Sequence, residues 1–148
     1  MAHRLNGETG TLLVVDDDEA VRKLELRILS ELGHKLLEAE GPVEAMRLAA
    51  ATPTIHLLLT DFSMPGADGL ELAEQFRTVH PQTPVLMVSG SLEAIDGRAD
   101  HLERFAVLAK PFTSEELVHN VRALLSNINQ AVATTGLASP YQHASAQH

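Results

Sequence analysis

Five short apolar runs alternate with longer segments of helical period along most of this chain, and this alternation constrains the fold more than any other feature. A strand, a helix and a second strand in succession usually form a right-handed crossover. Repeated crossovers build a parallel sheet with helices on both faces. The sequence therefore predicts a doubly wound α/β domain with strands at residues 12–15, 35–39, 56–60, 85–88 and 105–109.

The segments between the runs predict five helices. The first ends before Gly33, and its apolar positions at helical spacing are Val21, Leu24, Ile28 and Leu32. The others are predicted at residues 42–50, which open with a proline suited to a first turn, around 70–76, at 92–103, and after the capping-box pattern at 113–116.

Composition narrows the class of protein. The 148 residues suit one domain, and no apolar run approaches the ~20 residues that cross a bilayer. The net charge of -9, without a basic cluster, disfavours binding to nucleic acid or to an anionic membrane. With no cysteine and no secretion signal, the sequence predicts a cytoplasmic protein without disulfides or thiolate metal sites.

Periodic hydrophobicity, with nearly all of the charge, lies in residues 11–126, which are predicted to form the folded domain. Residues 1–10 are then an N-terminal extension. Residues 127–148 contain no Asp, Glu, Lys or Arg, and are predicted to form a flexible tail.

Charged and hydroxyl side chains follow the predicted strands. They are Asp16, Asp17 and Asp18 after the first strand, Asp61 after the third, Ser89 after the fourth and Lys110 after the fifth. In a parallel sheet these ends meet at one edge, which is where such folds bind ligands. Several carboxylates and one ammonium there predict a site for Mg²⁺ and a charged substrate oxygen.

The acidic run after the first strand divides into two parts. Asp18 and Glu19 suit the start of a helix, where carboxylates complement the dipole. Asp16 and Asp17 directly follow the buried strand, so they are the predicted metal ligands. Lys110 lies next to a buried strand, and a buried ammonium requires a partner.

Asp61 interrupts an apolar run just before a loop that contains Pro65, Gly66 and Gly69. A carboxylate in this position is either a metal ligand only or a nucleophile toward phosphorus that forms an aspartyl phosphate. A dication and Lys110 would offset the charge on the transferred phosphoryl oxygens.

Four segments, in this order and at these separations, resemble the receiver domain of two-component response regulators: "LLVVDDDEAVR", "LLLTDFSMPGADGLEL", "PVLMVSGS" and "LAKPFTSEEL". The resemblance covers residues 11–126 and implies a flavodoxin-like (βα)5 fold. It also implies Mg²⁺-dependent transfer of a phosphoryl group from the phosphohistidine of a sensor histidine kinase or a phosphotransfer protein. Such a domain is a signalling receiver rather than an enzyme acting on other substrates.

The resemblance assigns roles position by position. Asp61 falls on the phosphoacceptor, and Asp16 and Asp17 fall on the Mg²⁺-binding pair. Ser63 falls where a backbone carbonyl completes the metal shell. Ser89 falls on the hydroxyl residue that binds the phosphoryl group, and Lys110 on the lysine that pairs with the phosphoacceptor and the phosphate. The chain departs from many family members at Val107, where an aromatic switch residue is usual; Phe105 lies two residues earlier. Valine has one stiff torsion, so activation is expected to act through the loop at 89–91 and the helix after it.

The uncharged segment after the receiver region predicts no output domain, and the chain resembles either a stand-alone regulator or the receiver of a hybrid kinase. Its output would be a protein contact or onward phosphotransfer.

A haloacid-dehalogenase-type phosphatase is an alternative, because Asp16 and Asp18 fit its Asp-x-Asp pair, although Glu19 and Ala20 do not continue its motif. A receiver-like binding module that never takes phosphate is another alternative. No Gly-x-Gly-x-x-Gly turn supports dinucleotide binding, and the eight histidines lack metal-site spacing.

Overall fold

The computed structural model describes residues 9–130, so most of the predicted extension at 1–10 and of the predicted tail at 127–148 lies outside the described residues. One five-stranded sheet forms the centre of the fold, and all its strand pairs are parallel. The strands are β1 (Thr11–Val15), β2 (Lys35–Ala39), β3 (Leu57–Asp61), β4 (Val85–Ser89) and β5 (Phe105–Ala109). Their order, β2-β1-β3-β4-β5, confirms the predicted doubly wound sheet.

Four α-helices cover the sheet. They are α1 (Glu19–Ser30), α2 (Pro42–Ala51), α3 (Gly69–Val79) and α4 (Ser114–Gln130). Side chains alternate along each strand, so every strand supplies residues to both faces. On one face Leu12 and Val14 pack in a cluster with residues of α1 and α4. On the other face Leu13 and Val15 pack with residues of α2 and α3. Within residues 9–130, no helix has the length and hydropathy needed to cross a membrane.

The buried face of α1 differs from the predicted one. The apolar spacing predicts Leu24 on that face, yet the residue is 46% exposed. The buried residues of the helix are Arg22, Glu25, Ile28 and Leu29. Two charged residues therefore lie where an amphipathic helix normally presents apolar side chains, and both lie near the carboxyl edge of the sheet.

The predicted helix at 92–103 was wrong: the chain forms only a short 3-10 helix at Leu92–Ala94, followed by turns. Ile95, Ala99 and Leu102 are nevertheless all buried at intervals of three and four residues. Gly97 interrupts the helix by adopting a φ of 80°. Short-range bonds such as that from the Arg98 N–H to the Ile95 carbonyl, at 2.8 Å, replace the helical ladder.

Polar contacts attach this β4–β5 connection, residues 90–104, to α3 and its cap. Arg98 donates to the Asp68 carboxylate at 2.8 Å and lies over the Phe62 ring, 5.5 Å from its centroid. His101 and Glu74 form a second contact at 2.9 Å. Arg77 donates to the carbonyls of Glu103 and Arg104. Because Asp68 is also the N-cap of α3, the connection and the loop after β3 share one anchoring residue.

The capping box at the start of α4 is confirmed. The Glu116 N–H donates to the Thr113 hydroxyl at 3.0 Å, and the Thr113 N–H donates to the Glu116 carboxylate at 2.9 Å. The helix continues to Gln130, past residue 126, the predicted end of the folded domain. Residues 127–130 lack charge, but they also lack the proline or glycine that ends a helix.

Candidate functional site

The strand order brings the reactive positions together. β1 and β3 are neighbours at the centre of the sheet, while the connection out of β1 runs to β2 on the other side. This is the switch point at which parallel sheets bind ligands. Asp16 and Asp17 follow β1 and Asp61 ends β3, and carboxylate oxygens of these three residues lie within 4.8 Å of one another.

Asp16 is 1% exposed and is held by its neighbours. Its Oδ1 accepts a hydrogen bond from the Asp18 N–H at 2.9 Å. Burial raises the pKa of the Asp16 carboxyl; the Asp18 hydrogen bond opposes this, and the charge of Asp61 adds to it. Among the described residues, Asp16 Oδ2 is the one buried side-chain nitrogen or oxygen atom without a hydrogen-bond partner.

Lys110 neutralises part of this acidic cluster. Its Nζ lies 2.7 Å from Asp61 Oδ1, and the Asp61 side chain is only 7% exposed. Burial lowers the pKa of the Lys110 ammonium, but the hydrogen bond and charge of Asp61 outweigh it, so the pKa is raised. The main chain also fixes this residue, because the Lys110 N–H donates to the Ser89 carbonyl at 2.8 Å. Lys110 remains an ammonium, and the partner predicted for it is Asp61.

The backbone around Asp61 leaves no room for a side chain at Gly69. A Cβ atom at Gly69 would lie 2.5 Å from the Asp61 carbonyl oxygen, well inside van der Waals contact. The Gly69 N–H donates to the Phe62 carbonyl at 2.7 Å. The first turn of α3 therefore packs directly against the main chain of β3, and this contact requires glycine.

Ser89 lies at the end of β4, but its hydroxyl faces its own loop. The Ser89 Oγ donates to the Ser91 carbonyl at 2.9 Å and accepts the Ser91 N–H at 3.0 Å. Ser63 is exposed in the loop after β3. The described contacts thus join the three aspartates and Lys110, and leave Ser89 bonded away from Asp61.

The other half of the acidic run starts α1, as predicted. Asp18 is the N-cap, and its Oδ1 accepts the Ala20 and Val21 N–H groups at 3.0 and 3.3 Å. Glu19 is exposed in the first turn. These two carboxylates stabilise the helix start and are separate from the aspartate cluster.

Glu25 belongs to the surroundings of the site, and sequence analysis missed it. The side chain lies on the buried face of α1 and is 1% exposed. Burial, with the negative charges of Asp16 and Asp61, raises the pKa of Glu25 to about 8, although Lys110 opposes the shift. A signal was available: Arg22, Glu25 and Ile28 share a three-residue spacing that points one helix face toward the sheet.

The three aspartates fit a hard divalent cation. Mg²⁺ prefers oxygen ligands and is usually held by one or two carboxylates together with water. The free Asp16 Oδ2 is an oxygen without a protein partner at the place where the carboxylates converge. No cysteine or histidine takes part in this cluster, which agrees with a preference for Mg²⁺ over softer metals.

Comparison with known protein families identifies the fold that carries the three aspartates and Lys110. The family model of the response regulator receiver domain matches residues 12–122, which include β1 from its second residue, β2 to β5, and every residue of the cluster. This chain belongs to the receiver-domain family. Receiver domains are modules of two-component signalling, and the match assigns the chain to this family rather than to the haloacid-dehalogenase family.

The receiver segment is similar to characterised response regulators. It is 37% identical over 133 residues to response regulator MprA of Mycobacterium bovis, an alignment that covers 86% of this chain and 55% of that protein. Response regulator MprA of Mycobacterium ulcerans is 39% identical over 120 residues, covering 77% of this chain and 49% of that protein. The chain thus spans about half the length of the curated relatives that it matches.

Solved receiver structures share the fold. The receiver domain of the hybrid histidine kinase CckA superimposes with a TM-score of 0.67 at 32% identity, covering 78% of this chain and 99% of that one. Response regulator TrrA of Thermotoga maritima gives a TM-score of 0.70 at 26% identity, with 78% of this chain and 99% of that one covered. TrrA was crystallised in complex with Mg²⁺ and BeF.

The receiver domain has an aliphatic side chain where an aromatic switch residue is usual. Val107 is 6% exposed and packs in the cluster on the α2–α3 face of the sheet. Phe105 is fully buried in the same cluster. Neither side chain lies at the surface of β5.

Proposed function

We propose that this receiver domain accepts a phosphoryl group on Asp61 from the phosphohistidine of a sensor histidine kinase or a phosphotransfer protein. One observation carries the proposal: Asp61 is a nearly buried carboxylate that both joins the aspartate cluster and binds the Lys110 ammonium at 2.7 Å. On this proposal the chain catalyses only its own phosphorylation and dephosphorylation. Its phosphorylated form would change protein–protein contacts.

The chemistry requires one bond to form and one to break. A carboxylate oxygen of Asp61 attacks phosphorus, and the P–N bond to the donor histidine breaks as its electrons return to the imidazole. Lys110 already lies against Asp61, so its ammonium is placed to offset negative charge on the transferred group. This pre-organisation requires no movement of β5.

Asp16, Asp17, Asp61 and the backbone carbonyl of Ser63 are the residues proposed to hold Mg²⁺. A bound dication would neutralise charge on the phosphoryl oxygens during transfer. The chain's own contribution is to fix the Asp16 carboxylate through its bond from Asp18 and to leave Asp17 exposed to incoming ligands.

Ser89 is proposed to bind the phosphoryl group after transfer. To do so, its hydroxyl must give up the bond to the Ser91 carbonyl. Phosphorylation would therefore release the loop at 89–91 and act on the β4–β5 connection that follows it. Movement of this loop would take the place of the aromatic switch residue, because position 107 is a valine.

The test is incubation with acetyl phosphate followed by intact mass spectrometry. Wild type with Mg²⁺ is expected to gain a single phosphoryl adduct, and Asp61→Asn or wild type with EDTA is expected to gain none. Asparagine keeps the size of the side chain but lacks the nucleophilic carboxylate. Equal adduct on wild type and Asp61→Asn would contradict the assignment, and no adduct on wild type would favour the binding-module alternative.

A second prediction separates the two halves of the acidic run. Asp17→Ala is expected to weaken Mg²⁺ binding by at least about 10-fold, because it removes a ligand. Asp18→Ala removes only the α1 cap, so it should lower the free energy of unfolding by about 1 kcal/mol and change Mg²⁺ affinity little. Isothermal titration and thermal unfolding of both variants measure these effects, and equal losses of affinity would place the boundary of the site elsewhere.

A further inference from the structure

Arg22 is a buried cation on α1 that the proposed phosphotransfer does not use. It is 7% exposed, and a guanidinium stays charged, so its burial requires partners. It has two: Nη1 donates to the main-chain carbonyl of Asp16 at 2.7 Å, and Nε donates to the Glu38 carboxylate at 2.9 Å. One side chain thus ties α1 to the end of β1 and to β2.

The contact with Asp16 completes the anchoring of that residue. The Asp16 N–H donates to the Ala39 carbonyl at 3.2 Å, and its Oδ1 accepts the Asp18 N–H at 2.9 Å. With its carbonyl bound by Arg22, Asp16 is held at three atoms. The fourth polar atom, Oδ2, is buried and has no hydrogen-bond partner within residues 9–130.

We propose that Arg22 is a positioning residue, which holds the backbone of Asp16 so that its carboxylate converges with those of Asp17 and Asp61 for Mg²⁺ binding. The inference rests on the proposed Mg²⁺ site and adds a residue that does not itself touch the cation. Partners of this indirect kind commonly change metal affinity by 10–100-fold when they are replaced.

An electrostatic role and a positioning role of Arg22 predict opposite changes in Mg²⁺ affinity when the side chain is removed. If only its positive charge mattered, its removal would strengthen the binding of a nearby cation. If its hydrogen bond to the Asp16 carbonyl matters, its removal would weaken the binding, because the carboxylate loses its fixed orientation. The sign of the change therefore distinguishes a positioning role from an electrostatic one.

The experiment measures Mg²⁺ affinity by isothermal titration for wild type, Arg22→Gln, Arg22→Lys and Glu38→Gln. Arg22→Gln is expected to bind Mg²⁺ about 10-fold or more weakly. Arg22→Lys should be intermediate, because an ammonium lacks the planar fork that reaches both partners. Glu38→Gln keeps an acceptor for Nε and leaves the Asp16 contact intact, so its affinity should stay close to that of wild type.

A metal-free measurement completes the test. The Asp18 N–H is bonded to Asp16 Oδ1, so its exchange with solvent, followed by NMR without Mg²⁺, reports whether the Asp16 side chain stays in place. We expect faster exchange at Asp18 in Arg22→Gln and no change at the Phe62 N–H, which donates to the Val88 carbonyl at the end of β4.

Wild-type or tighter Mg²⁺ binding, together with unchanged Asp18 exchange, would overturn the inference. If Arg22→Gln does not fold, the same two measurements on Arg22→Lys decide, and wild-type values for both would again overturn it. If wild type itself binds no Mg²⁺, the proposed metal site fails. The exchange at Asp18 still tests the role of Arg22 in that case.

Discussion

Lys110→Met is expected to slow phosphoryl transfer from acetyl phosphate to Asp61 by about 100-fold or more. Methionine has a similar length but no charge, so it removes the ammonium that lies 2.7 Å from Asp61 Oδ1. Loss of one pre-organised charge-stabilising donor commonly reduces a rate by 10²–10³-fold. The rate of adduct formation, followed by intact mass spectrometry at saturating Mg²⁺, measures the effect.

Two comparisons show whether this loss reflects the transfer step. Lys23→Met is the matched control, because Lys23 is an exposed lysine in a surface pair with Glu19, and its rate should equal that of wild type. Mg²⁺ affinity of Lys110→Met should be retained or increased, since a positive charge next to Asp61 has been removed. A rate within a few-fold of wild type would show that Lys110 has only a structural role.

Glu25→Gln is expected to change how stability depends on pH. Burial raises the pKa of Glu25 to about 8, whereas an unfolded glutamate titrates near its ordinary value of 4.5. Between these values the folded state binds more protons than the unfolded state. The contribution of Glu25 to the free energy of unfolding is therefore fully present below pH 4.5 and is lost as the pH rises through 8. Glutamine resembles the protonated carboxyl at every pH and should remove this loss.

The measured quantity is the difference in the free energy of unfolding between the two proteins, obtained by urea denaturation in EDTA. The variant should gain stability relative to wild type between about pH 4.5 and 8, by ~1.4 kcal/mol for each unit that separates the folded and unfolded pKa values. Glu31→Gln, which replaces an exposed carboxylate at the end of α1, is the control and should follow the wild-type curve. Parallel curves for Glu25→Gln and wild type would show that Glu25 ionises in its ordinary range.

Sequence patterns sufficed for the sheet and for the core of the site. Runs such as "TLLVV" lie between segments of clear helical period, and a parallel sheet brings their carboxyl ends to one edge. This rule places Asp16, Asp17 and Asp61 together without knowledge of the strand order. It also explains why Lys110, distant in sequence, finds its partner in Asp61.

The remaining features depend on tertiary contacts that periodicity does not encode. Leu24 fits the apolar pattern of α1, but the helix is rotated so that Arg22 and Glu25 face the sheet and Leu24 faces outward. Arg22 is accommodated because Glu38 and the Asp16 carbonyl receive its donors. The direction of the Ser89 hydroxyl is likewise set by Ser91 and has no sequence signature.

The β4–β5 connection of the receiver domain lacks a continuous helical hydrogen-bond ladder. The bonds of an α-helix form and break cooperatively, so a helix usually moves as one rigid element. Here the segment is attached by ion pairs at the protein surface, such as Arg98–Asp68, and by three buried apolar side chains. Without that ladder the backbone of the connection can change conformation locally, so the phosphorylation proposed at Asp61 would reach the surface through rearrangement within the segment rather than through movement of a rigid helix.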